Sequence, residues 1–180
     1  MHLLIYIFSY PIIKIISLLP FRIIYILSST FSLLLRNIFR YRLDTVRKNL
    51  KLVFPEKSSN EIIKIEKDFY KHFSDISFES IKAYGMTKSE MNSRYKYENI
   101  ELLHQIQKKS KNFIIICGHY SNFEWLLSIG YNVKGNGYGI YTPMSNKFFN
   151  NLFKKIRKKH NAYLISRYRI DDFIQNINPN

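Results

Sequence analysis

The first 35 residues are apolar almost without interruption. Only Lys14 and Arg22 carry charge there, leaving uncharged runs at 3–13, 15–21 and 23–35. Each run is shorter than the ~18–20 residues a helix needs to cross ~30 Å of hydrocarbon. A basic residue held at mid-bilayer costs about 2.5–3.5 kcal/mol, and Pro11 and Pro20 predict a kink or a break. A cleavable signal peptide fits poorly, because no positive charge opens the stretch and no small-residue cleavage site comes after it. Three readings stay open: a spanning helix that snorkels a basic residue to the interface, a helical hairpin dipping into one leaflet, and a hairpin buried in a soluble core.

Beyond this segment the pattern becomes amphipathic. Phe54-Pro55-Glu56 breaks the chain, and Ser58-Ser59-Asn60-Glu61 reads as a capping box opening a helix. Ile62, Ile65, Phe69, Phe73 and Ile76 recur at helical spacing, which predicts their burial. Thr87-Lys88-Ser89-Glu90 is a second box, and Asn99 is placed to cap a helix through Leu102, Leu103 and Ile106. The apolar run 113–117 has the length of a strand buried on both faces, and a helical stretch over 122–129 comes next. After a turn at Lys134-Gly135-Asn136-Gly137 come a strand over 138–142, a helix capped by Ser145 and running to about 160, and a strand over 162–165. Phe148, Phe149, Leu152, Phe153 and Ile156 form that helix's predicted buried face, and Asp171 or Asp172 opens a last helix. Strand, helix, strand, helix, strand is the grammar of an α/β fold with a mostly parallel sheet flanked by helices. No internal repeat and no Gly- or Ser-rich linker divides it, so the expected organisation is a membrane anchor at 1–35 and then one domain over 36–180.

Composition narrows the classes. Hydrophobic residues at 46% and charged residues at 23% exclude a disordered tail and a polytopic membrane protein. A single cysteine, Cys117, excludes a disulfide framework and a multi-cysteine metal site. Against 28 Lys+Arg stand 13 Asp+Glu, a formal +15, which points to a polyanionic partner. Part of the lysine excess goes with a chain saturated in Ile, Lys, Asn, Tyr and Phe. Arg36, Arg40, Arg42, Arg47, Lys48 and Lys51 come directly after the apolar segment, with Asp44 the sole acid among them. Such a flank stays in the cytoplasm and holds the adjoining domain against an anionic membrane. No nucleic-acid recognition module is present.

Candidate chemistry concentrates in Gly118-His119-Tyr120-Ser121-Asn122-Phe123-Glu124-Trp125. His119 lies just past the predicted buried strand, where α/β folds place ligand sites. Glu124 stands five residues later, and with His119 in the loop its carboxylate can turn back to fix the imidazole tautomer and stabilise the imidazolium. The plain alternative is a histidine capping the helix and a glutamate on a solvated face. A metal site lacks a second ligand at suitable spacing, and Ser121 lacks the G-x-S-x-G setting of an activated serine. Between Glu124 and Asp171 the chain holds no acid while Lys134, Lys147, Lys154, Lys155, Arg157, Lys158, Lys159, Arg167 and Arg169 recur. That stripe suits a phosphorylated glycolipid, an acidic carrier protein or a solvated face.

The same residues carry a family resemblance. Residues 118–125 resemble the H-x4-D/E block of glycerolipid-type acyltransferases, and most closely the GH-(F/Y)-x-N-(W/F)-E block of the lipid A biosynthesis lauroyl/myristoyl acyltransferase family. Val46-Arg47-Lys48-Asn49-Leu50 with Phe54-Pro55-Glu56 is similar to that family's N-terminal region, and Phe69-Tyr70 and Glu79 to the helix before its catalytic block. Tyr141-Thr142-Pro143-Met144-Ser145-Asn146-Lys147-Phe148-Phe149 resembles its Y-x-P-L-x-N-K-x-(F/L) stretch, with Thr142 where many relatives carry a basic residue, and Arg157 its downstream arginine. The resemblance implies an O-acyltransferase of the inner membrane, its catalytic part facing the cytoplasm, that needs no cofactor. His119 would be the general base and Glu124 its orienting partner, with Asn122, Asn146 and Arg157 binding substrate. The donor would be acyl carrier protein or acyl-coenzyme A, and the acceptor a lipid A precursor. It also implies further strands and motif blocks after residue 180, so the sheet is expected to be incomplete here. Another glycolipid or glycerolipid as acceptor, and a non-catalytic basic protein tethered to anionic lipid, are the competing readings.

Overall fold

Pro20 divides the N-terminal apolar segment; Pro11 does not. In the computed structural model, which describes residues 2–109, 112–160 and 162–176, helix α1 (His2–Leu18) runs straight through Pro11. Pro20, extended at φ −60° and ψ 147°, is the N-cap of α2 (Phe21–Leu33), and its carbonyl takes the Ile23 and Ile24 amides. The break falls where the proline's missing amide costs nothing, at a helix start. One wider π-turn, Leu34–Ile38, prolongs α2. Arg40 and Arg42, at φ 48° and 52°, then turn the chain into α3 (Leu43–Val53). Met1 and 177–180, the outer ends of the two expected stretches, lie outside the described residues.

The contacts divide the chain into two units, Leu18–Lys82 and Met1–Ser17 with Ala83–Asn180. In the first, α2 packs antiparallel on α4 (Ser59–Lys82). The capping box forms as expected, Ser58 N donating to Glu61 Oε2 at 2.9 Å and Glu61 N to Ser58 Oγ at 3.4 Å. The buried line of α4 is not the aromatic stripe, however. Ile62 is buried, but Phe69 and Phe73 are each 40% exposed, and Glu66, Tyr70 and Ser74 lie inside instead.

Polar partners on α2 and α3 turn the helix that way. Tyr25 OH donates to Glu79 at 2.7 Å, Ser28 Oγ to Asp75 at 2.6 Å, and the Nε atoms of Arg36 and Arg47 to Glu66 at 2.8 and 2.6 Å. Tyr70 OH reaches the Tyr41 carbonyl at 2.6 Å, beside a core of Leu35, Leu43 and Tyr70. These anchored polar groups outweigh burial of the Phe69 and Phe73 rings, because a carboxylate buried without partners would stay uncompensated.

In the second unit, α1 lies with Tyr6 against the rings of Phe148 and Phe149 and Tyr10 OH 3.0 Å from Tyr84 OH. Gly85 passes so close to the Ser17 carbonyl that a Cβ there would collide with it. Thr87 caps α5 (Lys88–Arg94) as expected. Asn99, at φ 54°, precedes α6 (Ile100–Lys109), whose residues all stay at least partly exposed. Strand β1 (Gly137–Tyr141) pairs in parallel with β2 (Ala162–Ser166), Gly137 opposite Ala162 and Tyr141 opposite Ser166. The crossover between them is α7 (Lys147–Lys158), and the last described helix is α8 (Ile170–Asn176).

The fold class is therefore α/β, mostly helical, with a small parallel sheet. One expected strand is missing from it. Residues 113–117 join no ladder among the described residues, and Ile114 and Ile116 are 88% and 92% exposed. A strand exists through its partner: apolar composition cannot hold a ladder that no neighbouring edge completes.

Glu66→Ala should lower the stability of the Leu18–Lys82 unit by about 3 kcal/mol, the low end for a broken buried ion pair, because Arg47 is 42% exposed and can rehydrate. Burial pushes the Glu66 carboxyl up, but the Arg47 and Arg36 guanidiniums outweigh it and hold it below the usual range. The stability it contributes is thus complete above the ordinary glutamate value of about 4.3 and lost as pH falls through the lower folded value. Chemical denaturation of wild type and variant across acid pH checks both effects.

Candidate functional site

The cavity that gathers the sequence motifs lies in the Ala83–Asn180 stretch, at the carboxyl end of β1. It measures about 240 Å³ and is lined by Tyr141, Thr142 and Met144 from that strand end, Asn150, Phe153, Lys154 and Arg157 from α7, and Glu124. Open α/β sheets place ligands outside such strand ends. The α7 residues fall at spacings of three, four and seven, so one helical face supplies them all.

Local hydrogen bonds shape the loop between β1 and α7. Asn146, not Ser145, is the N-cap: its Oδ1 accepts from the Phe148 amide at 3.0 Å and the Phe149 amide at 3.4 Å. An asparagine acceptor at this position satisfies amides the helix leaves without partners. One turn on, Asn150 Oδ1 accepts from the Met144 amide at 3.0 Å. On the inner face of α7, Leu152 and Ile156 are buried, while Phe148, Phe149 and Phe153 are half-buried.

Glu124 enters from the 3-10 segment Phe123–Tyr131. Arg157 grips it with two bonds, Nε to Oε2 at 3.0 Å and Nη2 to Oε1 at 2.6 Å, and both side chains are about one-fifth exposed. Behind it Trp125 is buried. Tyr97 OH donates to the Leu126 carbonyl at 2.9 Å and lies 2.7 Å from Ser128 Oγ, burial raising its phenol well above the ordinary value. Lys154 Nζ stands 5.4 Å from the centre of the Tyr141 ring. Two cations and one carboxylate around the cavity leave a net positive rim, suited to an anionic group.

His119 is exposed, its ring centre 4.4 Å from that of Phe123. No hydrogen bond joins it to Glu124, whose two oxygens both face Arg157. Ser121, at φ 51°, turns the chain between them, and Asn122 is buried next to it. So the structure brings Glu124 and Arg157 together, sets Asn146 at the helix start, and leaves His119 in the adjoining loop. Asn150 was not a sequence candidate. Its spacing of four from Asn146 and seven to Arg157 was the available signal.

The far end of α7 is pinned as well. Lys159 Nζ donates to the Tyr84 and Met86 carbonyls at 2.8 and 2.7 Å. Tyr131 OH donates to the Lys159 carbonyl at 2.9 Å, which leaves its oxygen to accept from His160 Nδ1 at 3.1 Å. His160 is thereby a neutral imidazole protonated on Nδ1, its pKa pushed down to about 4 by burial and by the Lys159 charge.

A parallel β-α-β crossover with an ion-paired carboxylate at its strand end defines an α/β domain whose cavity has a polar, cationic rim. The sequence model of the bacterial lipid A biosynthesis acyltransferase family matches residues 2–180, and the chain belongs to that family. Searches of the curated proteins and of the solved structures each give no match. Membership agrees with the resemblance carried by the motifs and implies an acyl donor and a lipid A precursor as the family's substrates.

This geometry has two measurable outcomes. Asn146→Ala should cost about 1 kcal/mol through the lost cap, while Asn146→Asp should keep it; thermal unfolding of both variants reads the difference. Because His160 titrates near 4 when folded and near 6.5 when unfolded, the unfolded state takes the proton first. Stability should therefore fall as pH drops from about 6.5 to about 4, and His160→Gln should remove that part of the slope in denaturation curves.

Proposed function

We propose that this chain is a membrane-attached O-acyltransferase that moves a fatty acyl chain from a thioester donor, acyl carrier protein or acyl-coenzyme A, to a hydroxyl of a lipid A precursor. The observation that carries the reading is the meeting, around one cavity, of the 118–125 block through Glu124, the 141–149 block through Tyr141, Thr142 and Met144, and Arg157. Two separate motif blocks and a downstream arginine, each resembling a feature of one acyltransferase family, share a site.

In this reading His119, exposed and free to meet substrate, takes the proton of the acceptor hydroxyl. The oxygen attacks the thioester carbonyl, and the tetrahedral adduct expels the donor's thiolate, which recovers a proton. A base of this kind contributes about 10²–10⁴ in rate. Glu124 orients and charge-stabilises the imidazolium. Its present engagement with Arg157 fits a resting site: an acceptor phosphate that takes the guanidinium releases the carboxylate towards His119, and catalytic hydrogen bonds often tighten only in the substrate complex. Asn122 and Asn146 hold the loops that carry these groups. Residues 1–35 attach the protein to the inner membrane and 36–180 form the acyltransferase domain. The basic flank from Arg36 to Lys51 supports a site facing the cytoplasm.

Acyl transfer to a lipid A precursor by membranes containing the full chain should fall at least 10²-fold in His119→Ala, and strongly in Glu124→Ala, with the fold intact by circular dichroism. Transfer undiminished in folded His119→Ala overturns the base assignment. No transfer by folded wild type, with salt-sensitive binding to anionic vesicles retained, favours a non-catalytic lipid-binding protein.

A further inference from the structure

Phe21–Ile38 is long and apolar enough to cross a membrane by length and composition, yet its partners in its own unit are those of a helix that lies flat. Tyr25, Ser28 and Arg36 hold Glu79, Asp75 and Glu66 of α4. These bonds span eleven residues, about 16 Å of helix axis at 1.5 Å per residue. The partner helix is itself strongly charged: Lys64, Lys67 and Asp68 are exposed along it, and Lys71 pairs with Asp75. To cross the bilayer, α2 would have to take α4 with it into hydrocarbon or abandon three carboxylate partners, and its own Arg36 would enter unpaired. Both courses are expensive, since intramembrane charges persist only when paired and buried in protein.

The outward side of the same segment is of opposite character. Ile23, Ile26 and Leu33, at helical spacings of three and seven, are 43–65% exposed, and Ile38 and Phe39 at its end are each 67% exposed. Arg22 at one end and Arg40 and Arg42 at the other are exposed beside this stripe. Next to them Tyr41, Phe69 and Phe73 stack, with ring centres 6.3 and 6.0 Å apart and 40–47% exposure. Apolar stripe, aromatic cluster and basic ends on one helix pair complement an anionic leaflet at its headgroup boundary. Helix α1, within its own unit, is held at Tyr6 and Tyr10 by side-chain contacts and passes Gly85 at Ser17.

We propose that Phe21–Ile38 lies in the plane of the membrane, its apolar stripe in the headgroup–acyl boundary of an anionic leaflet and its polar side closed by α4, and does not cross the bilayer. This rests on the membrane attachment proposed above and is independent of the chemistry at His119.

The test uses the full chain with the exposed Cys117 replaced by serine and single nitroxide labels at Arg22→Cys, Ile23→Cys, Ile26→Cys, Leu33→Cys and Asn37→Cys. Vesicles are phosphatidylcholine alone or mixed with phosphatidylglycerol. On the mixed vesicles, accessibility to oxygen relative to a water-soluble nickel chelate should rise several-fold at 23, 26 and 33. All three should report one shallow depth, and positions 22 and 37 should stay accessible from the same side. A depth that passes through the bilayer centre between 22 and 37, or ends facing opposite sides, overturns the in-plane placement while leaving membrane attachment standing. No change on adding vesicles overturns attachment as well, and an equal response on phosphatidylcholine alone overturns the anionic preference. Acyl transfer measured on the same preparations reports the catalytic reading separately.

Discussion

Two N–H groups of Arg157 hold both oxygens of Glu124 at 3.0 and 2.6 Å, and the site takes its shape from that grip. It ties the first turn after the 118–122 loop to the crossover helix between the paired strands. Without it, the cavity at the end of β1 would lose one wall. Desolvating such a pair costs nearly what the attraction returns, so its contribution is register more than stability. A guanidinium fork accepts a carboxylate in one geometry, and this fixes which face of α7 looks into the cavity. Asn150, Phe153 and Lys154 line it because Arg157, on the same face, is already committed.

The Leu18–Lys82 unit repeats the principle with different parts. Glu66, fully buried, draws two arginines from different helices. Asp75 and Glu79 add a serine and a tyrosine along the same seam. An acidic seam under an apolar helix divides labour: the seam binds α4, and the apolar side stays exposed. In both units, then, ion-paired carboxylates, Glu66 fully buried and Glu124 partly so, set the rotation of a helix and hydrophobic residues fill the remaining space.

Much of this was legible in the sequence because its causes are local. The capping boxes at Ser58 and Thr87, the break at Phe54-Pro55, the paired strands around Tyr138 and Ala162 and the inner face at Leu152 and Ile156 each arise from side chains within a few residues of one another. The motif blocks identified the family for a similar reason: their chemistry is written in residue order and spacing. The cap of α7 moved by one residue, from Ser145 to Asn146, because both are good acceptors and only the backbone path chooses between them.

Choices between distant partners were beyond the reach of pattern. The aromatic stripe Phe69 and Phe73 looked like a core face, but Arg36, Arg47, Ser28 and Tyr25 turned the acidic side of α4 inward. The run 113–117 had strand composition, yet a ladder needs a neighbouring edge and none of the described residues supplies one. The partner of Glu124 was open in the same way: His119 is five residues away and Arg157 thirty-three, and the structure engages the distant one. Periodicity and caps are fixed by neighbours along the chain. The pairing of charges depends on which helices meet, and only the tertiary structure contains that.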